Sequence, residues 1–335
     1  MDKIALVILN WNGKSFLEKF LPSVLAHSSS ATLIVADNNS TDDSVSFLKK
    51  NYPSVKIIAI PENGGYSKGY NIALKQVEAE YYILLNSDIE VTPGWIEPVI
   101  RLMDSDTNIA ACQPKILDFN NKEYFEYAGA AGGYIDRLGF PFCRGRLFNT
   151  LEKDSGQYND NREIFWATGA CMFVRAKDFH AVGGFDDDFF AHLEEIDLCW
   201  RLKSSGRKIF YCGESKIYHV GGGTLNKINP HKTYLNFRNS LYMLYKNLKP
   251  GSLFLLIFIR MSLDGIAGLK FLLEGSGRHT LAVIQAHFSF YRNIISLNKK
   301  RKLTIHRNLN FKEVYRGSVV WEYFVKRKKS TTDLN

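Results

Sequence analysis

Four short apolar runs in the first 90 residues, at 4–9, 33–36, 55–60 and 81–85, are rich in β-formers, and each leads into a polar cluster. The intervals between them carry helical spacing instead. Phe16, Leu17, Phe20, Leu21, Val24 and Leu25 line one face of a helix, and Val45, Phe47, Leu48 and then Ile72, Ala73, Leu74, Val77 suggest two more. Strands alternating with helices predict an α/β fold built on a mostly parallel, doubly wound sheet. Right-handed crossovers then bring the strand ends to one edge. The fourth run is the most informative, because Tyr81-Tyr82-Ile83-Leu84-Leu85 leads straight into Asn86-Ser87-Asp88. Such an ending does little for a core strand, whereas the carboxyl edge of an open α/β sheet is where its ligands bind.

At 335 residues, 45% hydrophobic and 23% charged, the chain suits one large domain with an appendage, or two domains. Its five cysteines form no Cys-x-x-Cys pair, which argues against a disulfide framework or zinc knuckle and for a reducing compartment. The sequence enters its first strand at once, so a secretory leader is not expected. All of the net charge of +9 lies in one place: residues 296–329 hold eleven Lys or Arg against Glu313 and Glu322. Ahead of them, Leu253-Phe254-Leu255-Leu256-Ile257-Phe258-Ile259 is strongly apolar but is followed by Arg260, Asp264 and Lys270. A bilayer span needs about 20 apolar residues, so an interfacial helix is expected. A second helical stretch, 281–297, ends at Lys299-Lys300-Arg301-Lys302. Apolar helices followed by basic residues predict peripheral contact with anionic lipid; the competing reading is a helical pair packed on the sheet domain with solvated charges. No nucleic-acid module accompanies the charge, so nucleic acid is not an expected partner. Residues 1–245 form the sheet domain and 246–335 a basic, helical extension.

The polar strand ends supply the candidate site. They are Asn10-Trp11-Asn12-Gly13, Asp37-Asn38-Asn39-Ser40-Thr41-Asp42, the glycine-rich Asn63-Gly64-Gly65-Tyr66-Ser67-Lys68-Gly69 with Asn71 one turn on, and Asn86-Ser87-Asp88. Asp88 suits a hard cation, Mg²⁺ or Mn²⁺, which bridges carboxylate to diphosphate. Asn86, two residues earlier, points the same way in extended backbone and can face a ribose or sugar. Asp37, ending the second strand, is placed to read a nucleoside, while Ser40 or Thr41 suits a helix N-cap. The glycine stretch matches neither a P-loop nor a dinucleotide fingerprint, which argues against an NTPase and a dehydrogenase. Further on, Glu194 and Glu195 precede an apolar helix, where the dipole favours ionised carboxylates and one could act as a general base. Asp197 and Arg201 read as an i,i+4 ion pair. His219, between a strand and Gly221-Gly222-Gly223, is a competent second metal ligand.

In this order the elements resemble the family 2 glycosyltransferases, and in particular their bacterial rhamnosyltransferase-like members. The resemblance spans roughly residues 3–245 and includes Gly183-Gly184-Phe185-Asp186 and Glu194-Glu195-Ile196-Asp197-Leu198-Cys199-Trp200-Arg201. It implies a fold of the GT-A type and inverting transfer from a nucleotide-diphospho-sugar to a glycan or lipid-linked acceptor, at the inner face of the cell membrane. It further implies that Asp37 contacts the base, that Asp88 and His219 hold the metal, and that Glu195, where Asp is usual, is the catalytic base. Trp166, Thr168 and Gly169 are expected to border the acceptor. Two departures stand out: Asn86 replaces the first acid of the Asp-x-Asp motif, and the longer Glu195 leaves Glu194 as a possible substitute. A nucleotidyltransferase that makes sugar nucleotides, and an inactive sugar- or lipid-binding homologue, are the alternative readings; Asn10-Trp11-Asn12-Gly13-Lys14 is a poor match to the basic glycine loop of the former.

Overall fold

The four apolar runs fold as β1 (Asp2–Asn10), β2 (Thr32–Asp37), β3 (Lys56–Ala59) and β4 (Ala79–Asn86), all parallel and ordered β3-β2-β1-β4. The structure is a computed structural model that describes residues 2–221, 229–304 and 311–334. Alternate residues of each strand serve two cores, as the period of two requires. Leu6, Ile8, Ile83 and Leu85 pack with Leu17, Leu21 and Val24 of helix α1 (Lys14–His27) and with Leu48 of α2 (Ser44–Asn51). Ala5, Val7, Tyr82 and Leu84 pack with Tyr70, Ala73 and Leu74 of α3 (Gly65–Leu74). A sheet covered on both faces explains why these strands are continuously apolar.

The remaining strands make the sheet mixed. After β5 (Ile89–Val91) and helix α4 (Ile96–Ser105), β6 (Ile109–Asp118) enters. The connection after β6 carries a second small sheet, joined by turns: β7 (Gly133–Asp136), β8 (Pro141–Cys143), β9 (Arg146–Leu147) and β10 (Thr150–Leu151). No helix lies between β6 and β12 (Cys171–Arg175), which therefore runs antiparallel to β6 and to β4. Parallel pairing would need a crossover. Helices α5 (Ala176–Ala181) and α6 (Glu194–Ser204) lead to β13 (Lys208–His219), which pairs parallel with β6 and antiparallel with β5 and with β11 (Asn161–Ile164).

The C-terminal part is helical: α7 (Pro230–Asn247), α8 (Pro250–Leu273), α9 (Gly277–Arg292), α10 (Ile294–Leu303) and α11 (Val319–Phe324), with β14 (Val314–Tyr315) added to β7. The expected boundary at 245 falls in the last turn of α7, which packs on α6. Charge holds this layer down. Lys246 pairs with Asp186 and Asp197, and Lys300 with Asp186 and Asp188. Two of the four residues Lys299-Lys300-Arg301-Lys302 are thus turned inward, since Arg301 donates to the Tyr245 carbonyl.

Helix α3 begins inside the glycine stretch that reads as a loop. Gly65 has φ +77°, and a Cβ there would lie 2.4 Å from the Phe190 carbonyl oxygen, which also accepts the Tyr66 N–H at 2.6 Å. Only glycine admits both the angle and the approach. Gly65→Ala is expected to destabilise the protein by about 1–3 kcal/mol in denaturant unfolding; an unchanged midpoint would contradict this account.

Candidate active site

Pairing β1 with both β2 and β4 brings three polar ends together, and hydrogen bonds sort those ends into braces and free groups. Asn10 is fully buried and donates to Asp37 Oδ1 (3.0 Å) and Ser40 Oγ (3.2 Å). Asp37 Oδ2 accepts the Ser40 N–H at 3.0 Å. Asn12 Oδ1 accepts from the N–H groups of Thr41 (2.7 Å) and Asp42 (3.2 Å), and Asn63 Oδ1 from Asn38 (2.9 Å) and the Gly65 N–H (2.9 Å). Ser40 and Thr41 do not cap α2; Asp42 Oδ1 accepts from the N–H (3.0 Å) and hydroxyl (2.5 Å) of Ser44. Asn71 does not face the crevice either. Its amide donates to the Phe185 carbonyl (2.8 Å) and to Asp187 (2.7 Å), and accepts the Phe185 N–H (3.0 Å). Asn12, Asn63 and Asn71, expected as ligand-binding, are therefore braces. Trp11 and Asn39 are exposed and Asn86 and Ser87 partly exposed; Asn10 Oδ1 is buried with no hydrogen-bond partner among the described residues, and it and Ser87 Oγ both pack over Gly13, 2.4 and 3.4 Å from where a Cβ would lie.

Asp88 and His219 meet because β5 pairs with β13 in a register that sets Ile89 opposite His219. His219 Nε2 lies 3.1 Å from Asp88 Oδ1, and Nδ1 lies 3.3 Å from Glu126 Oε2. All three are buried. Burial opposes ionisation of Asp88, yet His219 beside it and the N–H groups of Asp88 and Gly221 hold its carboxyl below the ordinary range. Burial likewise favours neutral His219, but Glu126 and Asp88 on either side push it up to about 10. The donor set fits the expected ion once His219 gives up its proton, since metal binding requires the neutral ring: carboxylate plus imidazole suits Mn²⁺ and, less well, Mg²⁺. Their 3.1 Å separation is that of adjacent ligands each about 2.1 Å from one small cation. Glu126 addresses the far nitrogen, where it would orient the ring as outer carboxylates do. No group of three or more His, Cys, Asp or Glu forms a ready cage among the described residues. Gly222 and Gly223 lie outside the described residues. Glu126 sits in no motif; its N–H bonds to Ile116 of β6, and only the β6–β13 pairing carries it to His219.

At the other side of β4, Asn86 N–H donates to the Ala170 carbonyl (2.9 Å). The adjacent Gly169 carbonyl accepts the Tyr66 hydroxyl (2.7 Å), and a Cβ on Gly169 would lie 3.7 Å from Glu195 Cβ. Tyr66 thus belongs beside the carboxylates more than in the donor loop. Glu194 and Glu195 open α6 as expected, but burial outweighs the helix dipole. Burial, then the neighbouring Glu195, pushes Glu194 well above the carboxylate range. Glu195 is partly exposed, and desolvation raises it to about 7 against N–H bonds from Leu193, Glu195 and Ile196. Oε2 of each has no partner among the described residues. Asp197 and Arg201 form the expected ion pair at 2.9 Å. Trp166 and Thr168 are not on the crevice surface. Trp166 is buried with its indole N–H on the Tyr134 carbonyl (2.9 Å), and Thr168 is buried with its hydroxyl on the Ala170 N–H (3.2 Å).

The sequence model described as Glycosyl transferase family 2 matches residues 5–183. The chain belongs to this glycosyltransferase family. It is 26% identical over 234 residues to N-acetylglucosaminyl-diphospho-decaprenol L-rhamnosyltransferase of Mycobacterium tuberculosis, covering 65% of this chain and 76% of the relative. It is 28% identical over 220 residues to the rhamnosyltransferase WbbL of Escherichia coli, covering 62% and 80%. Among solved structures, GalNAc-T7 with UDP, GalNAc and Mn²⁺ superposes with a TM-score of 0.58 at 16% identity, over 73% of this chain and 48% of that one. The architecture is the GT-A fold of glycosyltransferases, with the mixed sheet described above. If Glu195, raised to about 7, is the base of this glycosyltransferase, it must lose its proton before it can act. kcat/KM is expected to rise about tenfold per pH unit below that value and level off above it. A profile flat from pH 5 to 8 would exclude Glu195 as the base.

Proposed function

We propose that this glycosyltransferase is metal-dependent and inverting, and moves a sugar from a nucleotide-diphospho-sugar to a hydroxyl of a glycan or lipid-linked acceptor in cell-surface polysaccharide or lipid-linked glycan synthesis. The carrying observation is Glu195, partly exposed with one unpartnered oxygen and raised to about 7. On the donor side, Trp11 and the remaining lone pairs of Asp37 meet the nucleoside, with Asn39, Asn86 and Ser87 toward ribose, phosphate and sugar. Asp88 and His219 would hold Mg²⁺ or Mn²⁺, which when bound offsets the charge of the departing diphosphate. Glu195 takes the proton of the acceptor hydroxyl as that oxygen attacks the anomeric carbon. Attack opposite the leaving group inverts the centre. Glu194, almost fully buried, is less accessible to an acceptor hydroxyl than the partly exposed Glu195. The names of the rhamnosyltransferase relatives support a deoxyhexose donor and a diphospho-lipid acceptor.

Release of nucleoside diphosphate from dTDP-rhamnose, UDP-glucose, UDP-N-acetylglucosamine and GDP-mannose with Mn²⁺ tests this reading. Glu195→Gln is expected to lower turnover by about 10²–10⁴-fold, Glu194→Gln far less, and chelation to stop the reaction until metal is restored. Normal turnover by Glu195→Gln would refute the base, and activity in chelator the metal.

Contact with the inner membrane face is supported by α8, whose polarity is inverted. Arg260, Asp264 and Gly268, spaced by four, are its buried residues, with Arg260 on the Leu138 carbonyl (3.1 Å) and Asp264 3.3 Å from His287. Phe254, Leu255, Phe258, Ile266, Leu269 and Leu273 are exposed, Phe254 by 86%. The helix is long and apolar enough to cross a membrane, contrary to the reading from its charges. Crossing, however, would carry the Arg260 and Asp264 seam and its packed neighbours into hydrocarbon, at high cost. An in-plane helix satisfies both faces, with exposed Lys299 and Lys302 near anionic headgroups. The protein should float with phosphatidylglycerol vesicles, and Phe254→Ser with Phe258→Ser should weaken this by at least about tenfold; undiminished flotation of the double variant would exclude the α8 surface.

A further inference from the structure

The segment that delivers the two carboxylates has a strained backbone. Phe190, His192 and Leu193 have φ of 63°, 73° and 70°, a region that residues other than glycine rarely occupy. Leu193 is the residue from which α6 starts, and no side chain caps that start. Glu194 and Glu195 follow at once. A backbone of this kind persists only where its surroundings over-determine it.

The holding group is on α7. Asn239 is fully buried, and its Nδ2 lies 2.9 Å from the carbonyl oxygens of Phe189 and Ala191 and 2.7 Å from that of His192. Three acceptors on one side require the NH₂ there, and Oδ1 accepts from Arg238 Nε at 2.9 Å. Arg238 also donates to the carbonyls of Asp188 (2.8 Å) and Phe189 (2.9 Å). From the opposite side, the Phe190 carbonyl accepts the Tyr66 N–H at 2.6 Å. The next residue of α7, Ser240, accepts from Arg260 of α8 at 2.6 Å, so the clamp is itself braced. Asn239 lies outside the 5–183 span that the family model matches.

We propose that Asn239 is a positioning residue: by tying down the carbonyls of Phe189, Ala191 and His192 it keeps Phe190, His192 and Leu193 at positive φ and so fixes where Glu195 points. This rests on the reading of Glu195 as the base. Asn239 touches no substrate in this account and acts only through the loop.

The test compares full-length wild type, Asn239→Ala, Asn239→Asp and Asn239→Ala with Leu193→Gly. The readout is kcat for nucleoside diphosphate release from whichever donor named above the wild type consumes, with Mn²⁺, below each variant's Tm. Misplacement by about 1 Å can cost on the order of 100-fold, so both single variants should lose about 10- to 100-fold in kcat per folded molecule. Asn239→Asp, matched in shape but unable to donate, should be no better than Asn239→Ala. Glycine takes positive φ without penalty, so Leu193→Gly should recover at least about threefold of the kcat lost by Asn239→Ala. A role in packing alone would not be rescued this way. If Asn239→Asp does not fold, Asn239→Gln, which keeps the donor but shifts it by a methylene, must show the loss. Wild-type kcat in the single variants, or no rescue by Leu193→Gly, overturns the proposal. Should Glu195→Gln keep normal turnover, the base assignment fails separately, while a loss in Asn239→Ala that Leu193→Gly reverses would still establish the clamp.

Discussion

Strand β4 has no free side. It is hydrogen-bonded to β1 along one edge and β12 along the other, and its side chains from Tyr81 to Leu85 are buried in two separate cores. After the exposed Glu80 at its start, it next meets water only at its carboxyl end, Asn86-Ser87-Asp88. Every other part of the site is placed relative to that end. The donor braces reach it through β1, the carboxylates of α6 through Ala170 and Gly169, and His219 through β5.

Burial treats the carboxylates of this protein in two ways. Asp186 and Asp197 sit under the C-terminal helices, and although burial opposes their ionisation, Lys246 together with Lys300 or Arg201 holds both below the ordinary range. Glu194 and Glu195 lie one turn away on the same helix, have no Lys or Arg partner among the described residues, and are raised. One helix thus presents a neutralised face to the α7 layer and an uncompensated face to the crevice. The first holds the layers together; the second leaves two carboxyl groups raised by desolvation. The α7 layer therefore does more than cover the sheet, since it carries both the lysine that silences Asp197 and the amide that grips the loop ahead of Glu195.

Much of this was legible in the residues. Continuous apolar runs separated by helical spacing identify β1 to β4, α1 and α2, because a parallel sheet covered on both faces buries strand residues on both of them. The Asp197–Arg201 pair follows from helical spacing alone. The asparagines were harder to read. Asn12, Asn63 and Asn71 have the same side chain as Asn39 and Asn86, yet the first three spend it on neighbouring backbone. An amide that braces and an amide that waits for a ligand look identical in a sequence. Trp166 and Thr168 misled for a similar reason: their neighbour Gly169 does border Glu195, while their own side chains turn into the core.

What the sequence determined by itself was the alternation of strands and helices, the polar strand ends and the identity of the acids, since each depends on local pattern and residue chemistry. Tertiary structure alone decided what those acids can do. Glu126 reaches His219 through the β6–β13 pairing, and Glu194 differs from Glu195 in its deeper burial, in the neighbouring carboxylates that raise it and in having fewer N–H bonds to offset them. Asn239 finds the loop before α6 only once α7 has folded back over it. A pKa, a ligand pair and a clamp are properties of distance and dielectric, and the chain acquires both only when segments far apart in sequence are packed against one another.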